Sequence, residues 1–139
     1  MISLYEKLPT DDDCMNLLEQ IRWKGVPLCP YCKSIHSTAI SKKRYHCNNC
    51  NTAFSVTVNT IFHHTHLPLR KWFAAVSLIL NARKNISARQ LARDLGINKN
   101  TAWYMDRRIR EAMIDGEERE LLQGINSQLD ITTLEELEV

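Results

Sequence analysis

Two pairs of cysteines constrain the fold of this chain more than any other feature. Cys29 and Cys32 form the pair CPYC, Cys47 and Cys50 form the pair CNNC, and 14 residues separate the two pairs. Each CxxC turn directs two sulfurs toward one point, so two such turns supply the four thiolates of a tetrahedral zinc site. Because four thiolates leave no open coordination position, the spacing predicts one structural Zn²⁺ rather than a catalytic metal.

Other uses of these cysteines fit the sequence less well. Disulfides need an oxidising compartment, and the N-terminal stretch MISLYEKLPTDDD has no apolar segment typical of an export signal. A thioredoxin-like redox centre uses one CxxC rather than two. A rubredoxin-like iron site uses the same ligands and stays open on spacing alone. The fifth cysteine is interpreted as a core residue, because it begins a helical apolar stripe of Cys14, Leu17, Leu18 and Ile21.

Short strands are predicted around the cysteine pairs. Segments 35–40, 44–47 and 52–58 are rich in β-branched and aromatic residues, and a three-residue turn joins the first two. Two knuckles joined by a hairpin and followed by a third strand make a zinc ribbon, in which the metal substitutes for a core that about 30 residues cannot build. The histidine-rich stretch FHHTH at 62–66 is interpreted as a surface segment rather than a second metal site.

The second half of the chain changes to a helical period. A helix over 68–83 is apolar on nearly all sides and is therefore predicted to be central. Ser87, with Gln90 as its capping-box partner, is predicted to begin another helix, and Gly96 to end it in the left-handed conformation. A further helix begins near Lys99. Two helices joined by a three-residue turn that contains glycine have the layout of a helix-turn-helix.

The helix from Lys99 has two contrasting faces on a helical wheel. The inner face is apolar and comprises Ala102, Met105, Ile109, Ala112 and Met113. The predicted DNA-contacting residues are Asn100, Trp103, Tyr104 and Arg107 on the outer face, with Lys99, Arg108 and Arg110 beside them. Asparagine suits adenine, arginine suits guanine, an aromatic edge suits the thymine methyl group, and flanking cations suit phosphates. A helical hairpin used for protein contacts is the alternative interpretation.

Charge is segregated along the chain. The net charge is +2, but residues 21–110 carry 16 Lys or Arg and 2 Asp or Glu, a net charge of +14. Such a block predicts a polyanionic partner, and the helical layout favours double-stranded DNA. The acidic segment 115–139 is expected either to be solvated or to dock on the basic surface in competition with DNA. No run of about 20 apolar residues is present, so no transmembrane helix is expected.

Together these residues resemble the N-terminal half of bacterial zinc-ribbon insertion-sequence transposases, relatives of the eukaryotic Merlin transposons. The resemblance covers roughly residues 5–113 and is carried by IRWKG, CPYCKS, YHCNNCNTAFSVTVNTIF, LPLRKWFAAVSLIL and ISARQLARDLGINKNTAWYMDRRIREAM. It implies that the helix from Lys99 reads DNA at transposon terminal repeats and that the zinc ligands are Cys29, Cys32, Cys47 and Cys50. Family members continue into an RNase H-like domain with spaced acidic residues, which this sequence lacks, so the chain by itself is not expected to be a transposase.

The sequence therefore predicts a small α+β fold with four parts. These are an N-terminal helix (1–27), a four-cysteine zinc ribbon (28–60), a helix-turn-helix DNA-binding module (61–114) and an acidic C-terminal tail (115–139), a remnant preceding the missing catalytic domain. The leading hypothesis is a DNA-binding protein of the bacterial cytoplasm, associated with the nucleoid, that is not itself an enzyme. Two alternatives stay open: part of a split transposase acting with a catalytic half in trans, and a zinc-ribbon adaptor for protein partners. A homo-oligomer is compatible with each.

Overall fold

The α+β class predicted from the sequence is confirmed. The computed structural model describes residues 10–63, 65–82, 84–114 and 116–138, with side chains up to residue 128. In this part of the chain the elements follow one another as α1 (Asp11–Trp23), β1 (Ser37–Ser41), β2 (Arg44–Cys47), β3 (Ala53–Phe54), α2 (Leu69–Asn81), α3 (Ala88–Leu95), α4 (Lys99–Ala112) and α5 (Gly116–Glu138). The three strands form one antiparallel sheet in the order β1-β2-β3. None of the described helices combines the length and the apolar character needed to cross a membrane.

α1 lies between the ribbon and the later helices. Thr10 caps its N-terminus in a reciprocal capping box with Asp13. After α1 the chain turns away through Gly25, which has a φ of 91°. Cys14 and Leu18 are fully buried, so Cys14 is the core residue that the helical stripe predicts. Burial raises the pKa of the Cys14 thiol to about 12 and keeps this side chain neutral.

The hairpin of the ribbon forms as predicted, but the third strand is shorter than predicted. The sequence predicts a strand over 52–58, whereas β3 ends at Phe54. Beyond it the chain turns, because the N–H of Val58 donates to the carbonyl of Ser55. Val56 and Val58 are nevertheless buried. Their β-branched side chains serve the core from turns rather than from a strand, which is why composition alone gave the wrong length.

α2 is the central helix, as its apolar composition predicts. It contacts α1, α3, α4 and α5. Its first two turns are buried through Leu69, Trp72, Phe73, Ala74, Ala75 and Val76. The ring of Trp72 is fully buried and meets Phe62 and Tyr104 edge-on, at 5.8 and 6.3 Å between ring centroids. Trp72 is therefore part of the core.

α3 and α4 are joined by residues 96–98. Ser87 caps α3 by accepting from the N–H of Gln90, and Gly96 ends it in the left-handed conformation. One detail of the predicted capping box is wrong. The side chain of Gln90 donates to Asp94 at 2.9 Å instead of returning to the backbone of Ser87. The i,i+4 partner on the same helix face competes successfully for this amide.

α5 packs on α1 and α2. Leu121, Leu122 and Ile125 are buried. A Cβ atom at Gly124 would lie 2.9 Å from Cγ2 of Ile21, so the two helices approach closely at this glycine. The apolar stripe within residues 116–128 thus joins the hydrophobic core. On the same helix the acidic side chains of Glu117 and Glu118 line a pocket together with Arg22 and Lys33 of the basic block.

Candidate metal centre and nucleic-acid interface

Four cysteine sulfurs meet at one end of the ribbon. All four Sγ atoms lie within 4.8 Å of one another. The sulfur of Cys29 is 3.6 Å from that of Cys50, and the sulfur of Cys32 is 3.5 Å from that of Cys47. A tetrahedral Zn²⁺ with Zn–S bonds of about 2.3 Å requires sulfurs about 3.8 Å apart. The cluster therefore has the size and the donor set of a closed zinc site with four cysteine ligands.

The two knuckles share one hydrogen-bond pattern. The N–H of Cys29 donates to the carbonyl five residues later, and its carbonyl accepts from the N–H four residues later. Cys47 makes the same two bonds, and all four distances are 2.9–3.0 Å. Lys33 lies four residues after Cys29, and Asn51 lies four residues after Cys47. Both have a left-handed backbone conformation, with φ of 65° and 58°. The sequences CPYCKS and CNNCNT thus fold into the same turn, which presents each pair of sulfurs in the same way.

Two sulfurs of the cluster accept hydrogen bonds from nitrogen donors. Nδ2 of Asn49 donates to the sulfur of Cys32, and the N–H of Cys50 donates to the sulfur of Cys47, both at 3.5 Å. The bond from Asn49 lowers the pKa of the Cys32 thiol to about 6. Because zinc binds thiolates rather than thiols, this shift at Cys32 acts in the direction of metal binding. At Cys50 the hydrogen bond from Thr52 acts in the same direction, but burial and the neighbouring sulfurs outweigh it and raise the pKa to about 11.

The other possible ligands do not join this cluster. Among the described residues, the four cysteines of the knuckles are the single group of His, Cys or acidic side chains close enough to hold a metal. Cys14 is buried in α1, and His66 is exposed in the segment before α2. His64 lies outside the described residues.

Charge pairs hold the ribbon hairpin against α1. Lys42 pairs with Asp12, and Lys43 lies 3.7 Å from Glu19. The hydroxyl of Tyr45 donates to the same Glu19 carboxylate at 2.9 Å. Two cations of the hairpin are therefore paired with acidic side chains of the first helix.

Arg22 ties the end of α1 to the turns that follow β3. Its Nη1 atom donates to the carbonyls of Val56 and Val58, both at 2.6 Å. Burial lowers the pKa of Arg22, although the guanidinium stays charged. In a longer β3 the carbonyls of Val56 and Val58 could not both accept from Arg22. This contact is therefore a physical reason for the early end of the strand.

α4 separates its side chains as the helical wheel predicts. Ala102, Met105 and Ile109 are fully buried against the other helices. Five of the predicted DNA-contacting residues are exposed, with 53% of Trp103 and 47% of Tyr104 accessible: Lys99, Asn100, Trp103, Tyr104 and Arg107. Arg108 and Arg110 are half-buried. The structure thus brings the predicted outer residues onto one accessible face, whereas their contacts with DNA remain a prediction.

α3 adds two exposed arginines that the sequence analysis did not select. Arg89 and Arg93 are one turn apart, and neither is paired with an acidic side chain in the part of the chain described. The sequence does contain a signal for these two arginines. Leu91 and Leu95 mark the buried face of α3, and Arg89 and Arg93, four residues apart, lie together on the opposite, exposed face.

A lysine of α2 holds the turn between α3 and α4. Nζ of Lys71 donates to the carbonyl of Leu95, the last residue of α3. The same nitrogen would lie 3.9 Å from a Cβ atom at Gly96. A cation at the C-terminus of a helix satisfies a free carbonyl and interacts favourably with the helix dipole. The central helix therefore fixes the position from which α4 starts.

Comparisons with known proteins agree with the ribbon. Residues 9–53 match the family model of the transposase zinc-ribbon domain. Over 102 residues, 70% of its length, the chain is 33% identical to a protein of Halobacterium salinarum described as an uncharacterized protein in transposable element ISH50. The chain spans 34% of that protein. No solved structure matches the chain. The ribbon with its one structural zinc is thus similar to the zinc ribbon of transposases.

Proposed function

We propose that this chain is a DNA-binding part of a transposase-related protein, and that α3 and α4 form a helix-turn-helix whose second helix reads the major groove. The two faces of α4 carry the proposal. Its apolar face is buried, while an amide, two aromatic rings and a guanidinium are accessible on the other: Asn100, Trp103, Tyr104 and Arg107. These are groups that can discriminate base edges, and a major groove about 12 Å wide admits one helix.

Cations at the borders of this face support the same partner. Arg89 and Arg93 are exposed on α3, and Lys99 is exposed at the first turn of α4. In a helix-turn-helix the first helix crosses the phosphate backbone, so the two arginines would contact phosphates there. The N-terminus of α4 would add backbone N–H groups for a further phosphate. The central block of +14 supplies the longer-range attraction.

In this proposal the zinc is structural. It organises the two knuckles, and the ribbon in turn anchors α1 through Asp12, Glu19 and Arg22. We propose transposon terminal repeats as the class of target, since the relative named above lies in a transposable element. The chain spans a third of that relative, so cleavage and strand transfer are not assigned to these residues. That residues 1–139 alone do not cut DNA stays a prediction.

The test is selection of bound sequences from a random duplex pool with the zinc-loaded chain. We expect an enriched motif, and an affinity that falls steeply as salt rises because phosphate contacts release counterions. Tyr104→Ala alters the α4 face, and Ile40→Ala removes an exposed apolar side chain of β1 as a matched control. Absence of salt-dependent duplex binding would overturn the proposal and leave the adaptor hypothesis.

A further inference from the structure

Arg107 contacts two neighbours on its own helix. Its Nε atom donates to Oε1 of Glu111 at 3.1 Å, one turn later. Its guanidinium carbon lies 5.4 Å from the ring centroid of Trp103, one turn earlier. In the described part of the chain its two Nη nitrogens make no hydrogen bond, and 62% of the side chain is accessible. The edge of the guanidinium that Glu111 does not use is thus available to a partner.

Arg110 on the same helix is in a different situation. Its Nε atom donates to Asp106 at 2.8 Å, and its Nη1 atom donates to Oδ1 of Asn85 at 3.3 Å. Asn85 lies just before α3, so Arg110 connects α4 to the segment that leads into its neighbour. Two of its three nitrogens are occupied by the protein itself. The contacts of Arg110 favour a structural role, in contrast to the free edge of Arg107.

The chemistry of guanine fits the free edge of Arg107. Guanine presents two acceptors, O6 and N7, in the major groove, and a guanidinium binds both through two parallel N–H groups. A bond at Nε leaves the Nη1–Nη2 edge for this bidentate contact. Stacking over Trp103 and pairing with Glu111 would also remove rotamer freedom before DNA binds, which lowers the entropy lost on binding.

We propose that Arg107 recognises a guanine at one fixed position of the bound duplex, and that Glu111 is a positioning residue that sets this specificity. The inference rests on the proposed DNA-binding function. A carboxylate near a DNA-binding face opposes the phosphates by simple electrostatics, so its removal would be expected to strengthen binding everywhere. The positioning role makes a different prediction, namely that loss of Glu111 weakens discrimination at the one base pair that Arg107 contacts.

The experiment measures the affinity of four variants and of the zinc-loaded wild-type chain for the selected duplex. It repeats the measurement, for each base pair of that duplex, on the three duplexes in which this base pair is replaced. Arg107→Ala should lower the preference for guanine at one position by about 5- to 150-fold. Glu111→Ala should lower the preference at the same position, whereas Glu111→Gln should retain most of it because its amide oxygen still accepts from Nε. Glu120→Ala on α5, which removes the same charge from an exposed side chain, should leave the preference unchanged.

A double variant separates positioning from a structural or purely electrostatic effect. If Glu111 acts through Arg107, adding Glu111→Ala to Arg107→Ala should produce no further loss of preference. The inference is overturned if Glu111→Ala and Glu111→Gln raise the affinity equally for every duplex, or if the double variant loses the sum of the two single effects. Failure of the proposed function is a separate outcome, because the wild-type chain would then select no duplex at all.

Discussion

The carboxylate of Asp11 accepts a hydrogen bond from the backbone N–H of Arg70 at 3.2 Å, 59 positions away in the chain. A side chain in the first turn of α1 thus caps the first turn of α2. The N-cap position of α2 is Pro68, whose side chain cannot accept a hydrogen bond. The aspartate supplies from another helix the acceptor that the local sequence lacks.

We expect Asp11→Ala to lower the free energy of unfolding by about 1 kcal/mol, the usual effect of losing a helix cap. Thermal and denaturant unfolding of the zinc-loaded chain would measure it. Asp12→Ala is the matched control, since Asp12 pairs with Lys42 at the surface and such pairs contribute about 0–1 kcal/mol. Equal losses in the two variants would argue against capping as the role of Asp11.

The zinc site predicts opposite results for two cysteines. Cys47→Ala should lose the metal and the ribbon fold, because structural zinc contributes about 10–16 kcal/mol in small modules at neutral pH. Cys14→Ala should retain one zinc per chain, since Cys14 lies in the core of α1 away from the sulfur cluster. Elemental analysis of the purified proteins measures both results. Well-folded wild-type protein without metal would contradict the assignment.

The zinc site was accessible to sequence analysis because its determinants are local. Each knuckle is defined within six residues, and the hydrogen bonds around Cys29 and Cys47 repeat within each turn. The left-handed end of α3 at Gly96 is local in the same sense. Features of this kind depend on residue type and spacing, which the sequence displays directly.

Features formed by distant contacts were missed. The turns that follow β3 bond to Arg22, which donates to carbonyls 34 and 36 positions away. The packing of α5 depends on Leu121, Leu122 and Ile125, a short apolar stripe within a segment that carries a strong negative charge. Local propensity and charge describe such segments poorly, because tertiary packing decides them.

The close approach of α5 to α1 predicts the effect of adding a methyl group at Gly124. In Gly124→Ala the new methyl group would meet Cγ2 of Ile21 at 2.9 Å, so the Ile21 side chain or the two helices must shift. Overpacking of this kind lowers the free energy of unfolding by about 1–3 kcal/mol, whereas the better helix propensity of alanine raises it by up to about 1 kcal/mol. We therefore expect a net loss of stability in denaturant unfolding.

Gly116→Ala provides the control for that variant. A Cβ atom at Gly116 would have no neighbour within 4 Å, so only the change in helix propensity acts there. Its stability should be equal to the wild type or slightly higher. A Gly124→Ala variant as stable as Gly116→Ala would show that α5 does not pack on α1 as described.

In the proposed complex α3 contacts phosphates and α4 contacts bases, so variants of the two helices should differ in their binding defects. Arg93→Ala should weaken binding to all duplexes alike and reduce the slope of affinity against salt by about one unit, since in the proposed complex this exposed cation of α3 would contact a phosphate. Asn100→Ala should cost about 1–3 kcal/mol on the selected duplex alone, because an asparagine that contacts adenine carries sequence information. Titrations on selected and scrambled duplexes over a salt series distinguish the two. If both variants lose the same amount on both duplexes, α4 is not the reading helix, and the exposed Arg44 of the ribbon becomes the next candidate.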